Sequence, residues 1–259
     1  WTISNGVCVA STDDVVIKVN PLDNSSFTYS SGSYCQADAD PLPVVTGLPG
    51  GTFSALAGLV FISTSTGQID LSASTSGSTY TITYTTAGPC PTASTFNVTI
   101  VGEDDPTFHY SSATYCQTGI DPSAIIDGTP LGSFSGSGSL IINAGIGKID
   151  LDASPLGTYT VTYTTTGTCQ NFSSVLVTIT TAPNATFSYS TPLCTSGTNP
   201  LPTFPLGSSA GVFSAPAGLN FVNTATGEIN LATSSAGLYT VTNFIAAAGG
   251  CAADTRTFN

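Results

Sequence analysis

Seven cysteines, one histidine and fifteen carboxylates are the side chains of this sequence that could do chemistry. The cysteines are Cys8, Cys35, Cys90, Cys116, Cys169, Cys194 and Cys251. They contain no C-x-x-C pair, and His109 alone cannot complete a zinc site with them, so disulfides in an oxidising compartment are the better reading. His109 is the one side chain that ordinarily titrates near neutral pH. Its matched positions in the internal repeats hold Thr28 and Ser188, between aromatic residues directed inward. That predicts an exposed strand residue without a catalytic role, and no second histidine is present to build a Ser-His-Asp or Cys-His arrangement.

"GSFSGSGS" from Gly132 has the look of a Gly-rich phosphate loop or a nucleophile elbow, but satisfies neither the P-loop nor the G-x-S-x-G spacing. It matches "GTFSALAG" and "GVFSAPAG" elsewhere, so turn chemistry explains it. Among the acids, Asp70 and Asp150 align with Asn230. A paired-carboxylate hydrolase would not exchange a carboxylate for an amide. Glu103, Asp104 and Asp105 lie in "GEDDP" at a repeat boundary, where oxygen-rich turns can bind calcium. Other boundaries read "NPLDNS" and "TTAPNA", the latter without a carboxylate, so the alternative is a solvated acidic turn. No other cofactor is expected.

These residues must be positioned by β structure. Of the 259 residues 75 are Ser or Thr, with 27 Gly, 16 Pro and no Met, a composition that disfavours helix and suits short strands and turns. Charged residues are only 7% of the chain, yet the net charge is −12. That balance excludes nucleic acid and anionic lipid as partners, since both require clustered Lys and Arg. At 41% hydrophobic the chain is no disordered acidic tail. No apolar stretch approaches the ~18 residues of a membrane span, so membrane insertion is not expected. No charged-then-apolar leader is visible, which points to a mature or internal segment.

The chain repeats itself. "FTYSSGSYCQADADP" from Phe27 recurs as "FHYSSATYCQTGIDP" from Phe108 and, shortened, as "FSYSTPLCTSGTNP" from Phe187. "STYTITYTTAGPC", "GTYTVTYTTTGTC" and "GLYTVTNFIAAAGGC" likewise align. The period is about 80 residues, and "YTVTYT" places Tyr159, Val161 and Tyr163 on one face of a strand. Short apolar runs "LVFIS" and "LIIN" end at the Gly turns "STGQ" and "GIGK". The fold expected is all-β, a tandem array of Ig-like β-sandwich repeats, each with one disulfide. The repeats are 26–105, 106–184 and 185–259, the last truncated in its final strand, with 1–25 as the C-terminal part of a preceding repeat. On this alignment Trp1 holds the place of Tyr84, Tyr163 and Phe244.

Cysteine separations of 55, 53 and 57 residues favour bridges Cys35–Cys90, Cys116–Cys169 and Cys194–Cys251, with bridges between neighbouring repeats as the alternative. Cys8 would then pair with a cysteine outside the chain.

"GLNFVNTATGEINLATSSAGLYTVT", with its counterparts from Leu59 and Leu140, resembles the Ig-like and PKD-like tandem repeats of large secreted surface proteins of Bacteroidetes-type bacteria. The resemblance covers essentially the whole chain, and its motif marks a fold, not an activity. It implies an extracellular, cell-surface location, and a structural role in an adhesin stalk or filament, as in cell attachment or motility-type adhesion. The implied partners are neighbouring repeats of the same chain, identical chains in a filament, and surface glycans. Where antibody-type domains carry a Cys two residues after the strand-F Tyr, here Tyr80 precedes Cys90 by ten, which places the bridge between the end of the first strand and the F–G turn. A carbohydrate- or calcium-dependent binding module is one alternative, and accessory repeats of a secreted enzyme another. The chain itself is not expected to be an enzyme. Most of the 13 Phe and 10 Tyr fall at repeated inward positions and are assigned to the core rather than to a sugar-stacking platform.

Overall fold

A computed structural model describes residues 1–259 except Asn5 and Ala10. The chain divides into two compact units, Trp1–Glu103 and Asp104–Asn259. Among the described residues every regular element except a single turn of 3-10 helix, Leu231–Thr233, is a strand.

In the first unit the longest strands are Ser78–Thr85 and Ala93–Val101, antiparallel neighbours from Ser78↔Ile100 to Thr85↔Ala93. Alternation explains their role: Tyr80, Ile82 and Tyr84 are buried on one side while Thr79, Thr81 and Thr83 face out. Ser33–Cys35 joins the free edge of Ala93–Val101 in parallel, with Cys35 opposite Val101. Thr52–Ser54 closes the other edge. Facing this four-stranded sheet are two short ribbons, Phe27–Thr28 with Val44–Val45 and Val60–Ser63 with Gln68–Asp70. Ile69, Leu71, Ile82, Val98 and Ile100 fill the space between at 0% exposure. Upstream, Thr2–Ile3 pairs with Ser11–Thr12, and residues 13–22 lie in no strand.

The second unit holds two such sandwiches with separate cores. In the first of them Gly157–Thr164 and Phe172–Thr180 form the central pair, flanked by Thr114–Cys116 and Ser133–Gly136. Its core repeats the pattern of the first unit through Ile149, Leu151, Val161, Tyr163 and Val177. In the other, Val241–Ile245 pairs with Asp254–Phe258 and Val212–Ser214, around Phe213, Ile229, Leu231 and Val241. The expected all-β tandem sandwich is the fold observed. Phe187 packs edge-on against Phe213 at 5.1 Å, as Phe27 does on Phe53 and Phe108 on Phe134 at 5.3 Å. Each sandwich also buries a tyrosine whose hydroxyl donates to the carbonyl of a turn glycine: Tyr29 to Gly67, Tyr110 to Gly147 and Tyr189 to Gly227. Burial pushes all three phenols well above their ordinary range.

The structure corrects one alignment. Phe53 lies opposite Tyr84, Phe134 opposite Tyr163, and Phe213 opposite Asn243, so Asn243 and not Phe244 stands in the tyrosine's place. The two side chains do the same work. Tyr84 Oη accepts from Gly51 N and donates to Leu48 O, and Tyr163 Oη accepts from Gly132 N and donates to Thr129 O. Asn243, at 0% exposure, accepts from Gly211 N through Oδ1 and donates through Nδ2 to Ser209 O and Ala185 O. A carboxamide carries donor and acceptor on adjacent atoms and so replaces a hydroxyl that performs both roles. The glycine is required by proximity: a Cβ on Gly132 would meet Thr164 O at 2.4 Å and the Tyr163 ring at 2.4 Å. This is the physical content of the "GSFSGSGS" stretch.

Candidate functional site: the covalent joint between sandwiches

The two sandwiches of the second unit are joined by a disulfide, Cys116–Cys251, with a Cα separation of 4.6 Å and both residues buried. The expected Cys116–Cys169 and Cys194–Cys251 bridges are therefore not made. Strand direction explains why. Cys116 ends a strand that runs parallel to Phe172–Thr180 and lies opposite Thr180, at that strand's end, whereas Cys169 precedes its start at Phe172. Nine residues of strand separate them, roughly 26 Å at ~3.3 Å per residue, far beyond the ~7 Å that a disulfide spans. The F–G turn of the following sandwich comes to that end instead and brings Cys251. The bridge thus links the kinds of element expected, a first-strand end and an F–G turn, but in successive repeats.

The same obstacle stands between Cys35, opposite Val101, and Cys90, which precedes Ala93. Cys90 is a free thiol, and so is Cys194, whereas Cys35 and Cys169 are disulfide-bonded. Cys8 is exposed.

Backbone shape seals the Cys116–Cys251 joint. Gly249 and Gly250 both have positive φ, +58° and +77°, and a Cβ on Gly250 would lie 2.6 Å from Thr114 O. Only glycine lets the turn approach the neighbouring strand so closely. Thr180 Oγ1 donates to Gly249 O, and Cys251 Sγ lies 3.3 Å from Thr181 O.

The acidic positions act as turn anchors. Asp40, Asp121 and Asn199 accept from the backbone N–H of Leu71, Leu151 and Leu231 respectively. Asp70, Asp150 and Asn230 accept from Ala73, Ala153 and Thr233. Amide and carboxylate are interchangeable here because only an acceptor oxygen is needed. In one repeat Asp121, Asp150 and Asp152 bring carboxylate oxygens within 4.8 Å of one another, beside a hollow of about 320 Å³, with Lys148 Nζ 3.2 Å from Asp121. The Leu151 amide, then Lys148, hold Asp121 below the usual carboxylate range, while hydrogen bonding to Asp150 and its charge raise Asp152. The matched residues of the next repeat are Asn199, Asn230 and Ala232, which could not assemble such a cluster.

Glu103 closes the first unit, where its carboxylate accepts from Ala37 N. Asp105 in the second unit accepts from Thr107 through N and Oγ1, contacts that lower its pKa, the hydroxyl contributing more. Asp104 N donates to Cys169 O. His109 lies on the strand Phe108–His109 with its side chain 52% exposed, Nδ1 2.7 Å from Asp127 Oδ2. An exposed pair of this kind contributes little, so His109→Ala should change the denaturation free energy by less than about 1 kcal/mol. A loss of several kcal/mol would contradict the surface assignment.

No family model matches the chain, and no curated protein matches it. Solved structures are similar over most of its length but distantly. Mouse cadherin-23 EC22-24 shares 14% identity, with 90% of this chain and 98% of that one covered at a TM-score of 0.27. Human CDH23 EC21-23 shares 11%, over 88% and 97%, at 0.36. Drosophila N-cadherin EC1-4 shares 10%, over 99% and 80%, at 0.29. No family membership follows. Likenesses this remote carry no argument about activity or partners.

Proposed function

We propose that the chain is a structural repeat segment of a long extracellular adhesin stalk or surface filament. The observation that carries this reading is the Cys116–Cys251 bridge, which ties two independently cored sandwiches end to end. A bridge between repeats transmits tension along an array, whereas one within a sandwich would only stabilise that sandwich. The use of disulfides supports an oxidising, extracellular setting. The three cores repeat one design, Asp40, Asp70, Asp121 and Asp150 anchor turns and His109 pairs with Asp127 at the surface, which supports a mechanical rather than a catalytic role. The segment "GLNFVNTATGEINLATSSAGLYTVT" and its counterparts from Leu59 and Leu140 add the resemblance to bacterial surface repeats.

Immunogold labelling of intact producing cells tests the proposal. Label along threads outside the envelope is the expected result. Label confined to the cell interior, with all seven cysteines reduced, would overturn it.

A further inference from the structure

The Cys116–Cys251 bridge decides which residues of the unit Asp104–Asn259 can feel a pull along the chain. Its two Cα atoms stand 4.6 Å apart, and no disulfide lets that separation exceed about 7 Å. Whatever unfolds between them, the distance from residue 116 to residue 251 cannot grow. Residues 117–250 therefore form a closed covalent loop. A pull applied to the backbone at Asp104 and Asn259 passes through the two sulfur atoms and bypasses that loop.

The loop holds most of what folds. Of the eleven buried core residues of the second sandwich only Phe108 and Tyr110 lie outside it, and all six of the third lie inside. Inside too are the central pair Gly157–Thr164 and Phe172–Thr180, and Val212–Ser214 with Val241–Ile245. On the loaded side remain Phe108–His109 and Thr114–Cys116 before the bridge and Asp254–Phe258 after it. Their anchors are aromatic: Phe108 packs on Phe134 at 5.3 Å and on Tyr163 at 5.8 Å, and Phe258 on Phe187 and Tyr189 at 6.1 Å.

The choice of partner is what shelters the cores. A bond from Cys116 to Cys169 would leave Phe172–Thr180 outside the loop, so a pull would run along the strand that supplies Val177 and Ile179 to the core. It would draw that strand away from Gly157–Thr164 and empty the sandwich. The observed bond encloses the strand instead. Gly249 and Gly250 let the turn approach Thr114 closely enough for the bond to close directly on the strand end.

We propose that the Cys116–Cys251 joint is a length stop: it prevents the unit from lengthening under load and keeps residues 117–250, with nearly all of both cores, out of the path of tension. This rests on the structural-array reading above and states how such an array answers force. Eleven residues separate Asp105 from Cys116 and eight separate Cys251 from Asn259. Fully drawn out at about 3.5 Å per residue, they limit the distance from 105 to 259 to about 70 Å, against about 540 Å for the same two points without the bond.

The test stretches single molecules of the whole chain in optical tweezers, with handles on azide side chains introduced at Asp105 and Asn259 so that no cysteine is used. In buffer free of reductant the extension should stop near 70 Å. Dithiothreitol added under load should release about 470 Å more, and Cys116→Ser with Cys251→Ser should show the full extension from the start. Phe213→Ala removes a ring from the third core, yet should leave the stop where it is, because Phe213 lies inside the loop. Phe108→Ala, outside the loop, should lower the force at which the short extension begins. A native chain that lengthens well past the stop without reductant overturns the proposal, and so does a stop that moves with Phe213→Ala. Surface threads labelled on cells together with a chain that lengthens freely would sink the stop alone and leave the structural reading standing. Label confined to the cell interior would sink that reading whatever the tweezers record.

Discussion

Replacing both Cys116 and Cys251 by Ser should lower the stability of the unit Asp104–Asn259 by close to 5 kcal/mol. The bridge closes a loop across a sequence separation of 135 residues, and on the chain-entropy model a loop of that length restrains the unfolded chain by about that amount. The character of the transition should change as well. The two cores of this unit share no side chain, so once the link is cut they should melt in two steps. Calorimetry of the whole chain, with and without the two substitutions, measures both effects. An unchanged melting profile would mean that the joint is held by Gly249, Gly250 and Thr180 alone, and would remove the mechanical argument for function.

The second large effect is at the anchor tyrosine. Tyr163→Ala should cost about 4 kcal/mol, because the ring is 0% exposed and packs on Phe134 at 4.6 Å and Phe108 at 5.8 Å. Tyr163→Phe keeps the ring and removes only the hydroxyl. It leaves Gly132 N and Thr129 O without their partner, a loss of about 1 to 3 kcal/mol. Asn243→Leu should fall in the same range or above it, since three backbone groups lose their partner at once. Urea midpoints of the three variants rank these effects. If Tyr163→Phe were neutral, water would be satisfying the loop and the anchor would be a packing residue only.

Much of this architecture is legible in the sequence. The recurrence of Phe27, Phe108 and Phe187 and the alternation in "YTVTYT" were enough for a tandem all-β array, because side-chain period two is a property of the extended backbone itself. The placing of His109 on an exposed strand followed from Thr28 and Ser188 at its matched positions. The exchange of Asp70 and Asp150 for Asn230 argued against a paired-carboxylate hydrolase, and in the structure the oxygens at all three positions accept backbone hydrogen bonds. The substitution of Asn243 for Tyr84 and Tyr163 was harder to see. Phe244 is aromatic and lies one residue away, and resemblance of side chains chose the wrong one. Cross-strand register, with Phe213 opposite Asn243, corrects it.

The disulfide partners were beyond the reach of spacing. A within-repeat separation of 53 to 57 residues is nearly constant, but so is any separation measured between equivalent points of a periodic chain, the 135 of Cys116–Cys251 included. Periodicity alone therefore cannot choose between them. The choice belongs to strand direction: a first strand parallel to the last carries its cysteine to the far end of the sandwich, away from its own F–G turn and toward that of the next repeat. Sequence by itself determined which residues face inward and how often the unit recurs, since both are local properties of an extended chain. Tertiary structure alone decided which ends meet, because that depends on the relative direction of strands distant in sequence.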